Sequence, residues 1–252
     1  MVPGLVSVIT PMYNGERFVG QTINSVISQS YPLWEMIIID DGSTDQGAKV
    51  VSNFMGHDSR IQLLRQANAG SAAARNKGIR QAKGQYIALL DADDTWNADF
   101  LEKQLDLMRR KNTALVYGSH TRIDADGKEI LRPFIASEKE DYHSMLKTCS
   151  ISCLTGLYDT KPYGKVYLRE GMKSNRDDYV YWLDILKKVK VAYGNQEVLA
   201  NYRLLQNSAT AKKSRVIIPQ FLVLYKIEKL GLFKSLYYLS TWAVYGFLKY
   251  WR

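Results

Sequence analysis

The sequence is poor in cysteine, in proline and in long uncharged apolar runs. Of its 252 residues, two are cysteines and six are prolines. Cys149 and Cys153 have neither the further Cys or His partners of a zinc site nor the pattern of a disulfide scaffold, so we expect both to be buried thiols. The chain has no run of about 20 uncharged apolar residues, the length that spans a bilayer as a helix.

The chain also lacks the features of a secretory leader. The apolar run Val6–Ile9 predicts a strand, and no basic segment, long apolar stretch and small-residue cleavage site precede it. We therefore expect the protein to stay in the cytosol. With 46% of its residues apolar, the chain can build one large domain, or one domain with an appended lobe, and disorder of the whole is excluded.

Acidic residues are scarce in the C-terminal segment. The formal net charge is +9, and from Lys212 to Arg252 eight basic residues face one acid, Glu228. This segment holds +7 of the excess, and the remainder of the chain is close to balanced. A basic excess can serve nucleic acid, an anionic membrane or phosphorylated substrates, so the position of the charge has to decide between them.

Short apolar runs alternate with helical patterns through the first half of the chain. This alternation is typical of a doubly wound α/β fold with a mostly parallel sheet. Apolar residues recur at helical spacing from Val19 to Ile27 and from Leu101 to Met108. The candidate strands are Leu5–Thr10, Met36–Ile39, Ile61–Leu64, Tyr86–Leu90 and Ala114–Tyr117.

The alternation weakens after the fifth candidate strand. From about Gly118 to Ser214 we expect a loop-rich stretch with one clear helix, whose apolar face includes Tyr179 and Trp182. After Pro219 the sequence becomes strongly apolar and aromatic. In doubly wound sheets ligands bind outside the carboxyl ends of the strands, so the residues that follow each strand are the candidate site.

Three carboxylates follow the fourth candidate strand, in the run Asp91-Ala92-Asp93-Asp94. Acids this close repel one another, and a hard dication such as Mg²⁺ or Mn²⁺, which prefers oxygen ligands, relieves that repulsion. A metal there can hold a diphosphate and neutralise a leaving group. The alternative is a solvated turn whose acids cap the helix that starts near Asp99.

A second acidic turn, from Asp40 to Asp45, follows the second strand. A fixed carboxylate at the end of a strand, such as Asp41, can accept hydrogen bonds from a nucleobase imide or a ribose. The alternative is a glycine turn followed by a helix N-cap at Ser43 or Thr44. Both interpretations stay open, since Asp41 and Ser43 need not do the same work.

Taken together, the motifs resemble those of family 2 glycosyltransferases with the GT-A fold, inverting enzymes of the type that builds bacterial surface polysaccharides such as O-antigen and capsule. The resemblance covers most of Val6 to Leu101. In chain order the matching motifs are Pro11-x-Tyr13-Asn14, Ser25-Val26-Ile27-Ser28-Gln29-Ser30-Tyr31, Asp40-Asp41-Gly42-Ser43-Thr44-Asp45, Asn68-x-Gly70 with Ala74-Arg75-Asn76-x-Gly78, and Asp91-x-Asp93-Asp94.

The resemblance implies a nucleoside diphosphate sugar as donor, with a UDP-sugar expected and other bases open. Tyr13 is similar to the aromatic residue that stacks on the base, Asp41 to the carboxylate that reads it, and Pro11 to the backbone contact beside it. Arg75 matches the arginine near the diphosphate and donor sugar, a role that suits a planar guanidinium. Asp91 resembles the acid that contacts the ribose or a metal-bound water.

The family also implies a direct metal ligand and a base. Asp93 matches the acid that ligates Mn²⁺ or Mg²⁺ directly. The base that removes the acceptor proton sits in an acidic pair opening a helix, and Asp177-Asp178 fits that place, with Asp177 where Glu is usual. We expect Asp178 to act, kept ionised by the helix dipole and thereby weakened as a base. The alternative is that both are merely acids of a first helical turn.

A last motif, Asn201-Tyr202-Arg203-Leu204-Leu205 followed by Gln206 to Thr210, resembles the family's Tyr-Arg-x-His loop. Leu205 stands where a His is common, so a role of that His does not transfer, and Arg203 is kept as a diphosphate or acceptor contact. The Gln-x-x-Arg-Trp motif of processive synthases is absent. We therefore expect addition of a single sugar.

The basic tail suits a membrane surface. Between Lys234 and Lys249 the sequence is apolar and aromatic and is flanked by basic residues. Aromatic rings lie at headgroup depth while cations meet anionic lipid, so we expect peripheral binding to the inner face of the cell membrane, near a lipid-linked or oligosaccharide acceptor, and no nucleic-acid partner. The alternatives are a terminal helix packed on the domain and a homodimer contact.

These expectations divide the chain into a nucleotide-sugar-binding half, 1–117, an acceptor-binding half of the same domain, 118–214, and a membrane-associating helical tail, 215–252. The expected reaction is transfer of a hexose to an acceptor hydroxyl. Two other functions compete with it. One is an inactive sugar-nucleotide-binding module, against which the intact acids argue. The other is a sugar-1-phosphate nucleotidyltransferase, which would need a glycine-rich basic loop where Pro11 to Gly15 stand.

Overall fold

In the computed structural model, which describes residues 1–172, 176–205 and 214–251, ten strands form one mixed sheet. The strands are β1 (Val2–Met12), β2 (Trp34–Asp40), β3 (Ile61–Arg65), β4 (Gly84–Leu89), β5 (Thr95–Trp96), β6 (Leu115–Ile123), β7 (Glu129–Phe134), β8 (Lys139–Asp141), β9 (Leu157–Asp159) and β10 (Val191–Arg203). The helices are α1 (Val19–Ile27), α2 (Gly47–Met55), α3 (Ser71–Gln81), α4 (Phe100–Lys111), α5 (Tyr142–Thr148), α6 (Asp177–Val189), α7 (Ser214–Leu222) and α8 (Leu232–Trp251).

The first four long strands are parallel, as the alternating pattern predicts. The order across the sheet is β3-β2-β1-β4-β9-β6-β10-β5, with β7 paired to β6 and β8 to β10. Strand β9 runs antiparallel to both β4 and β6, and β6 is parallel to β10. The observed α/β architecture is therefore a parallel half joined through one short antiparallel strand to a mixed half.

Two hydrophobic cores lie on opposite faces of this sheet, because side chains alternate along a strand. Val8 of β1 and Ile38 of β2 pack with α1 and α4 in one core, whereas their neighbours Ile9 and Ile39 pack with α3 and α6 in the other. Helices therefore cover both faces. This arrangement leaves the carboxyl ends of β1, β2 and β4 at one open edge.

Helix α3 lies unusually close to the sheet. A Cβ on Gly78 would come within 2.5 Å of Ile9 Cγ2 and 2.7 Å of Ile39 Cδ1. Only glycine allows this approach, which explains the glycine that ends the Ala74-Arg75-Asn76-x-Gly78 motif. The close packing fixes the direction in which Arg75, one turn earlier on α3, projects from the helix.

The second half of the chain contains more regular structure than the sequence indicates. Strand β6 continues to Ile123, and β7, β8, β9, β10 and α5 all lie within residues 118–205, where we expected loops around one helix. The expected helix is present as α6. The strands were missed because β10 pairs with β6 over a long sequence separation, and its alternation is interrupted by register shifts near Asn195 and Val198.

The C-terminal helices are partly embedded in the domain. Val223 and Leu224, in a π-helical turn between α7 and α8, are fully buried in the core that contains α6, and Gln220 is also fully buried. Glu228 binds Lys187 and Tyr142. The helical segment that we expected from residue 215 onward therefore packs in part against the rest of the domain.

Much of α8 faces outward. Phe233 is 86% exposed and Val244 58% exposed. No helix among the described residues has the length and apolar character needed to cross a bilayer. Of the two thiols that we expected to be buried, Cys153 is buried, but Cys149 is partly exposed.

Leu224→Ala tests whether the C-terminal helices belong to the core. Removing a fully buried leucine side chain should lower the free energy of unfolding by about 2–5 kcal/mol. Leu236→Ala, at a half-exposed site on α8, is the matched control and should cost less than about 1 kcal/mol. Urea denaturation of both variants measures the difference, and equal small effects would mean that the segment is detached from the core in solution.

Candidate active site

The polar residues after β1, β2 and β4 meet in one cleft of about 760 Å³, together with the start of α6 and the end of β10. They meet because neighbouring parallel strands end at the same edge of the sheet. The predicted site residues that line this cleft are Pro11, Tyr13, Asp41, Arg75, Asp91, Asp93, Asp178 and Arg203. Side chains from both halves of the chain thus share one cavity.

A second cavity, of about 440 Å³, lies near the opposite ends of the strands, beside Tyr86, Asp159 and Val191. Arg109 and Lys111 of α4 also line it. It has one carboxylate and lacks the acidic pairs found in the larger cleft. We therefore take the cleft at the carboxyl ends as the candidate active site.

Hydrogen bonds join the first two turns of the cleft. Asn14 has a positive φ of 51°, and its side-chain oxygen accepts from the Thr44 amide at 2.9 Å. Its own amide donates to Ser43 Oγ at 2.9 Å. These bonds leave the ring of Tyr13 outside the core, 56% exposed, so a planar ligand can reach it.

Asp41 is buried and organises the loop that leads into α3. Its Oδ1 accepts from Gln66 Nε2 at 2.8 Å and from the Ala69 amide at 2.9 Å, and its Oδ2 accepts from the Gly70 amide at 2.8 Å. Each carboxylate oxygen has two lone pairs, so the group can accept at least one further bond from a ligand. Besides the predicted contact with the nucleobase, Asp41 therefore also holds the loop that precedes α3.

The three acids after β4 differ in their surroundings. Burial and, to a lesser extent, the charge of Asp91 together raise the pKa of Asp93 to about 6. Burial and the charges of Asp93 and Asp91 also raise the pKa of Asp94, which is 1% exposed and accepts a hydrogen bond from the Arg203 amide at 2.8 Å. Negative charge is therefore concentrated here beyond what the protein neutralises.

This donor set fits a divalent cation. The raised pKa of Asp93 shows that its ionised form lacks sufficient positive charge nearby, and a dication would supply it. Within residues 1–172, 176–205 and 214–251, no group of three or more His, Cys, Asp or Glu side chains could hold a metal by itself. Mg²⁺-type sites commonly use one or two carboxylates and complete their coordination with phosphate and water.

Arg75 connects the two halves of the cleft. The guanidinium is 6% exposed, and it binds Asp91 Oδ1 at 2.6 Å and Asp177 Oδ2 at 3.2 Å. Ser71 Oγ, also on α3, donates to Asp177 at 3.2 Å. The acid after β4 and the first acid of α6 are thereby held by one cation.

The acidic pair at the start of α6 is asymmetric. Asp177 binds Arg75 and Ser71, whereas Asp178 Oδ1 accepts from the amide of Tyr179 at 2.8 Å. Burial raises the pKa of Asp178, the charge of Asp177 adds to the increase, and Arg176 and Arg75 oppose it. The helix dipole was expected to weaken this carboxyl as a base, whereas burial raises its pKa and so has the opposite effect.

Arg203 is committed to protein contacts. It is 3% exposed, and its guanidinium donates to the backbone oxygens of Asp93, Asp124 and Ala125 and to Gln21 Oε1, at 2.8–3.1 Å. These bonds fix the turn that carries the acids. The predicted contact of Arg203 with diphosphate or acceptor stays a prediction, with at most one N–H left to make it.

Sequence reasoning missed several contributors to the cleft. Asp94 was recognised only as one of three acids, although its burial and its bond to Arg203 make it the anchor of that turn. Asp177 was given no partner, because Arg75 lies 102 positions earlier. Cys153 also lines the cleft. The second part of the predicted Tyr-Arg-x-His-like loop, Gln206 to Thr210, lies outside the described residues.

Comparison with known families agrees with this geometry. The family model "Glycosyl transferase family 2" matches residues 7–174. TuaG of Bacillus subtilis (strain 168), whose name assigns it to teichuronic acid biosynthesis, is 37% identical over 246 residues, covering 97% of this chain and 95% of its own. WfgD of Escherichia coli, named a UDP-Glc:alpha-D-GlcNAc-diphosphoundecaprenol beta-1,3-glucosyltransferase, is 36% identical over 251 residues, covering 98% and 95%.

Solved structures show the same fold at low sequence identity. Staphylococcus aureus TarS 1–349 in complex with UDP-GlcNAc superposes with a TM-score of 0.69 at 17% identity, over 88% of this chain and 66% of that one. The mannosyltransferase PcManGT of Pyrobaculum calidifontis, with GDP-Man and Mn²⁺, gives a TM-score of 0.67 at 16% identity, over 95% and 73%. This chain is therefore shorter than both structures.

Asp93→Asn tests whether the ionised Asp93 carboxylate destabilises the metal-free protein and binds the metal. Removing a charge whose pKa lies near 6 should raise the melting temperature of the metal-free protein by a few degrees at pH 7.5, because the ionised group is unfavourable there. The gain should vanish at pH 5, where Asp93 is protonated. Mn²⁺ affinity, measured by calorimetry, should fall at least tenfold. A variant that binds Mn²⁺ like the parent would contradict the assignment.

Proposed function

Because the chain belongs to glycosyl transferase family 2 and is a glycosyltransferase, we propose that it moves a hexose from a UDP-sugar to a hydroxyl of a lipid-linked saccharide, with inversion and one sugar at a time. The observation that carries this proposal is the shared cleft, in which Arg75 binds both Asp91, at the end of β4, and Asp177, at the start of α6. The donor and acceptor named for WfgD make UDP-glucose and a GlcNAc-diphospholipid the first pair to test.

The donor would lie along the ends of β1, β2 and β4. The exposed ring of Tyr13 can stack on the uracil while Asp41 accepts its imide hydrogen, with the backbone at Pro11 alongside. Asp93 and Asp91 would hold Mn²⁺ or Mg²⁺, which neutralises charge on the departing diphosphate. Arg75 would exchange part of its contact with Asp91 for a diphosphate oxygen.

The acceptor would approach from the α6 side of the cleft. Asp178 would accept the proton of the acceptor hydroxyl as that oxygen bonds to the anomeric carbon, while the bond from this carbon to the diphosphate oxygen breaks and UDP leaves. The raised pKa strengthens Asp178 as a base, and it also means that Asp178 is protonated at a higher pH than an ordinary aspartate. Asp177 would hold Arg75 in place rather than take the proton.

The two competing functions gain no support. Both curated relatives are named as glycosyltransferases, which favours neither a nucleotidyltransferase nor an inactive binding module. The Pro11 to Gly15 segment also forms no glycine-rich basic loop.

The outward face of α8 supports peripheral binding to an anionic membrane, on its cytoplasmic side. Phe233, Tyr237 and Val244 fall on one face of the helix and are 86%, 55% and 58% exposed. A patch of exposed apolar and aromatic residues within a basic segment fits the lipid–water interface. Such binding would bring the cleft to a lipid-linked acceptor.

Asp178→Asn is the test of the reaction. The variant should keep the parent's affinity for UDP and Mn²⁺ and should transfer glucose about 10²–10⁴-fold more slowly, the usual contribution of general base catalysis. Asp177→Asn, the matched control, keeps its shape but weakens the hold on Arg75, so it should reduce UDP affinity more than Asp178→Asn does. Transfer at the parent rate by the Asp178 variant would remove α6 from the mechanism.

A double variant, Phe233→Ser with Val244→Ser, tests the membrane surface. It should lose most of its co-sedimentation with anionic liposomes without a change in melting temperature, because both side chains are exposed. The control is Leu33→Ser with Met55→Ser, which changes two exposed apolar residues distant in sequence from α8. This variant should bind liposomes like the parent. Unchanged binding of the first variant, with loss of a dimer in sedimentation velocity, would assign the face to a subunit contact.

A further inference from the structure

Arg176 immediately precedes the acidic pair, and its contacts come from the C-terminal helices. The side chain is 8% exposed. Its Nε and Nη2 both donate to Gln220 Oε1 of α7, at 2.9 and 2.5 Å. Gln220 is itself fully buried. Arg176, which directly precedes α6, is thus hydrogen-bonded to α7, more than 40 positions later in the chain.

Arg176 also forms a side-chain hydrogen bond with Cys149 and lies beside two aromatic rings. The guanidinium carbon lies 4.7 Å from the ring centre of Tyr179, on α6 itself, and 5.6 Å from that of Trp242 on α8. Both distances are within the range of cation–π attraction. Trp242 also lines the apolar groove between α7 and α8, beside Ile217 and Leu236. A chain of direct contacts therefore runs from the outer groove to the start of the catalytic helix.

The far end of α6 is fastened to the same segment. Lys187 binds the carboxylate of Glu228, whose side chain is 1% exposed, at 2.8 Å. Two separate contacts thus hold α6 against the C-terminal helices, one beside the acidic pair and one three turns away. Only the first lies next to Asp178, and this difference allows a positioning role to be separated from general anchoring.

We propose that Gln220 and Trp242 position the acidic pair through Arg176, so that the C-terminal helices are a working part of the acceptor half and not only an anchor. The proposal rests on the proposed function in that it takes Asp178 as the base. Arg176 is a positioning residue: it holds the first turn of α6 and keeps a positive charge beside Asp178. The other charged or titratable groups that face Asp178 are Asp177, Arg75 and Cys153.

Gln220→Met, in the full-length protein, removes the amide oxygen that accepts from Nε and Nη2 of Arg176 while nearly keeping the volume of the side chain. Once the guanidinium is free to move, the carboxyl pKa of Asp178, followed by ¹³C NMR and assigned with Asp178→Asn, should rise by about half a unit or more. The rate of glucose transfer at pH 7 should fall about tenfold or more. UDP affinity should not change. The acid limb of the pH–rate profile should move to higher pH.

Gln220→Glu keeps an acceptor for Arg176, so the rate at a pH well above the Asp178 pKa should return toward the parent value, while the added negative charge should keep that pKa raised. Trp242→Leu removes the half-buried ring and should raise the Asp178 pKa and lower the transfer rate, as Gln220→Met does. It provides the same test if Gln220→Met does not fold. Tyr238→Phe is the matched control, since it removes a different contact of α8, the 3.2 Å bond to His143, and should change neither quantity.

The outcomes separate this inference from the proposed function. An unchanged Asp178 pKa in both Gln220→Met and Trp242→Leu would overturn the inference whatever the activity. A fall in rate by the same factor at every pH, without a shift of the acid limb, would also overturn it, because that result signals general loosening. A third result would be a raised Asp178 pKa in both variants, together with no transfer by the parent from any UDP-sugar. That result would overturn the proposed function and support the positioning contact.

Discussion

The cleft depends on one buried guanidinium. Arg75 lies between Asp91, at the end of β4, and Asp177, at the start of α6, and it is oriented by a helix that Gly78 allows to rest on β1 and β2. Removing one acid partner of a buried cation destabilises a protein by about 3–5 kcal/mol, because the charge is left uncompensated. The two halves are therefore held in one relative position, and the donor-side and acceptor-side acids form a single site.

The same constraint explains why the charges of the site are unequal. Arg75 pairs with Asp91 and Asp177, whereas burial raises the pKa values of Asp93 and Asp178. In the proposed reaction each of these two acids would have a task that suits a raised pKa. Asp93 would gain a metal ion, and Asp178 would gain a proton from the acceptor. The protein thus concentrates uncompensated negative charge at the two places where the proposed reaction brings positive charge.

The C-terminal helices extend this arrangement to the surface. Gln220 and Glu228 hold the two ends of α6, while the opposite side of α8 exposes aromatic and apolar residues. A segment that appears in the sequence as an attached tail is therefore continuous with the core on one side and exposed on the other. Two packed side chains, Gln220 and Trp242, connect this segment to the start of α6 through Arg176.

The sequence predicts what local patterns determine. Alternating apolar runs gave the parallel strands, and acids placed directly after strands marked the cleft, because strand ends are local features. The Arg75–Asp177 pair, the burial of Glu228 and the strands β7 to β10 depend on contacts between distant parts of the chain, and no local pattern announces them. The pKa of Asp178 was misjudged for a related reason, since the helix dipole is visible in a sequence and the burial around the side chain is not.

The stereochemistry of the product tests the central claim most directly. A single base facing the leaving diphosphate across the sugar requires inversion, so an α-linked donor must give a β-linked product. The anomeric proton of the sugar transferred from UDP-glucose to a GlcNAc-diphospholipid, observed by ¹H NMR, should show the large coupling constant of a β-glucoside. An α-linked product would contradict the account, because it would require a nucleophile on the face of the sugar where we propose the base.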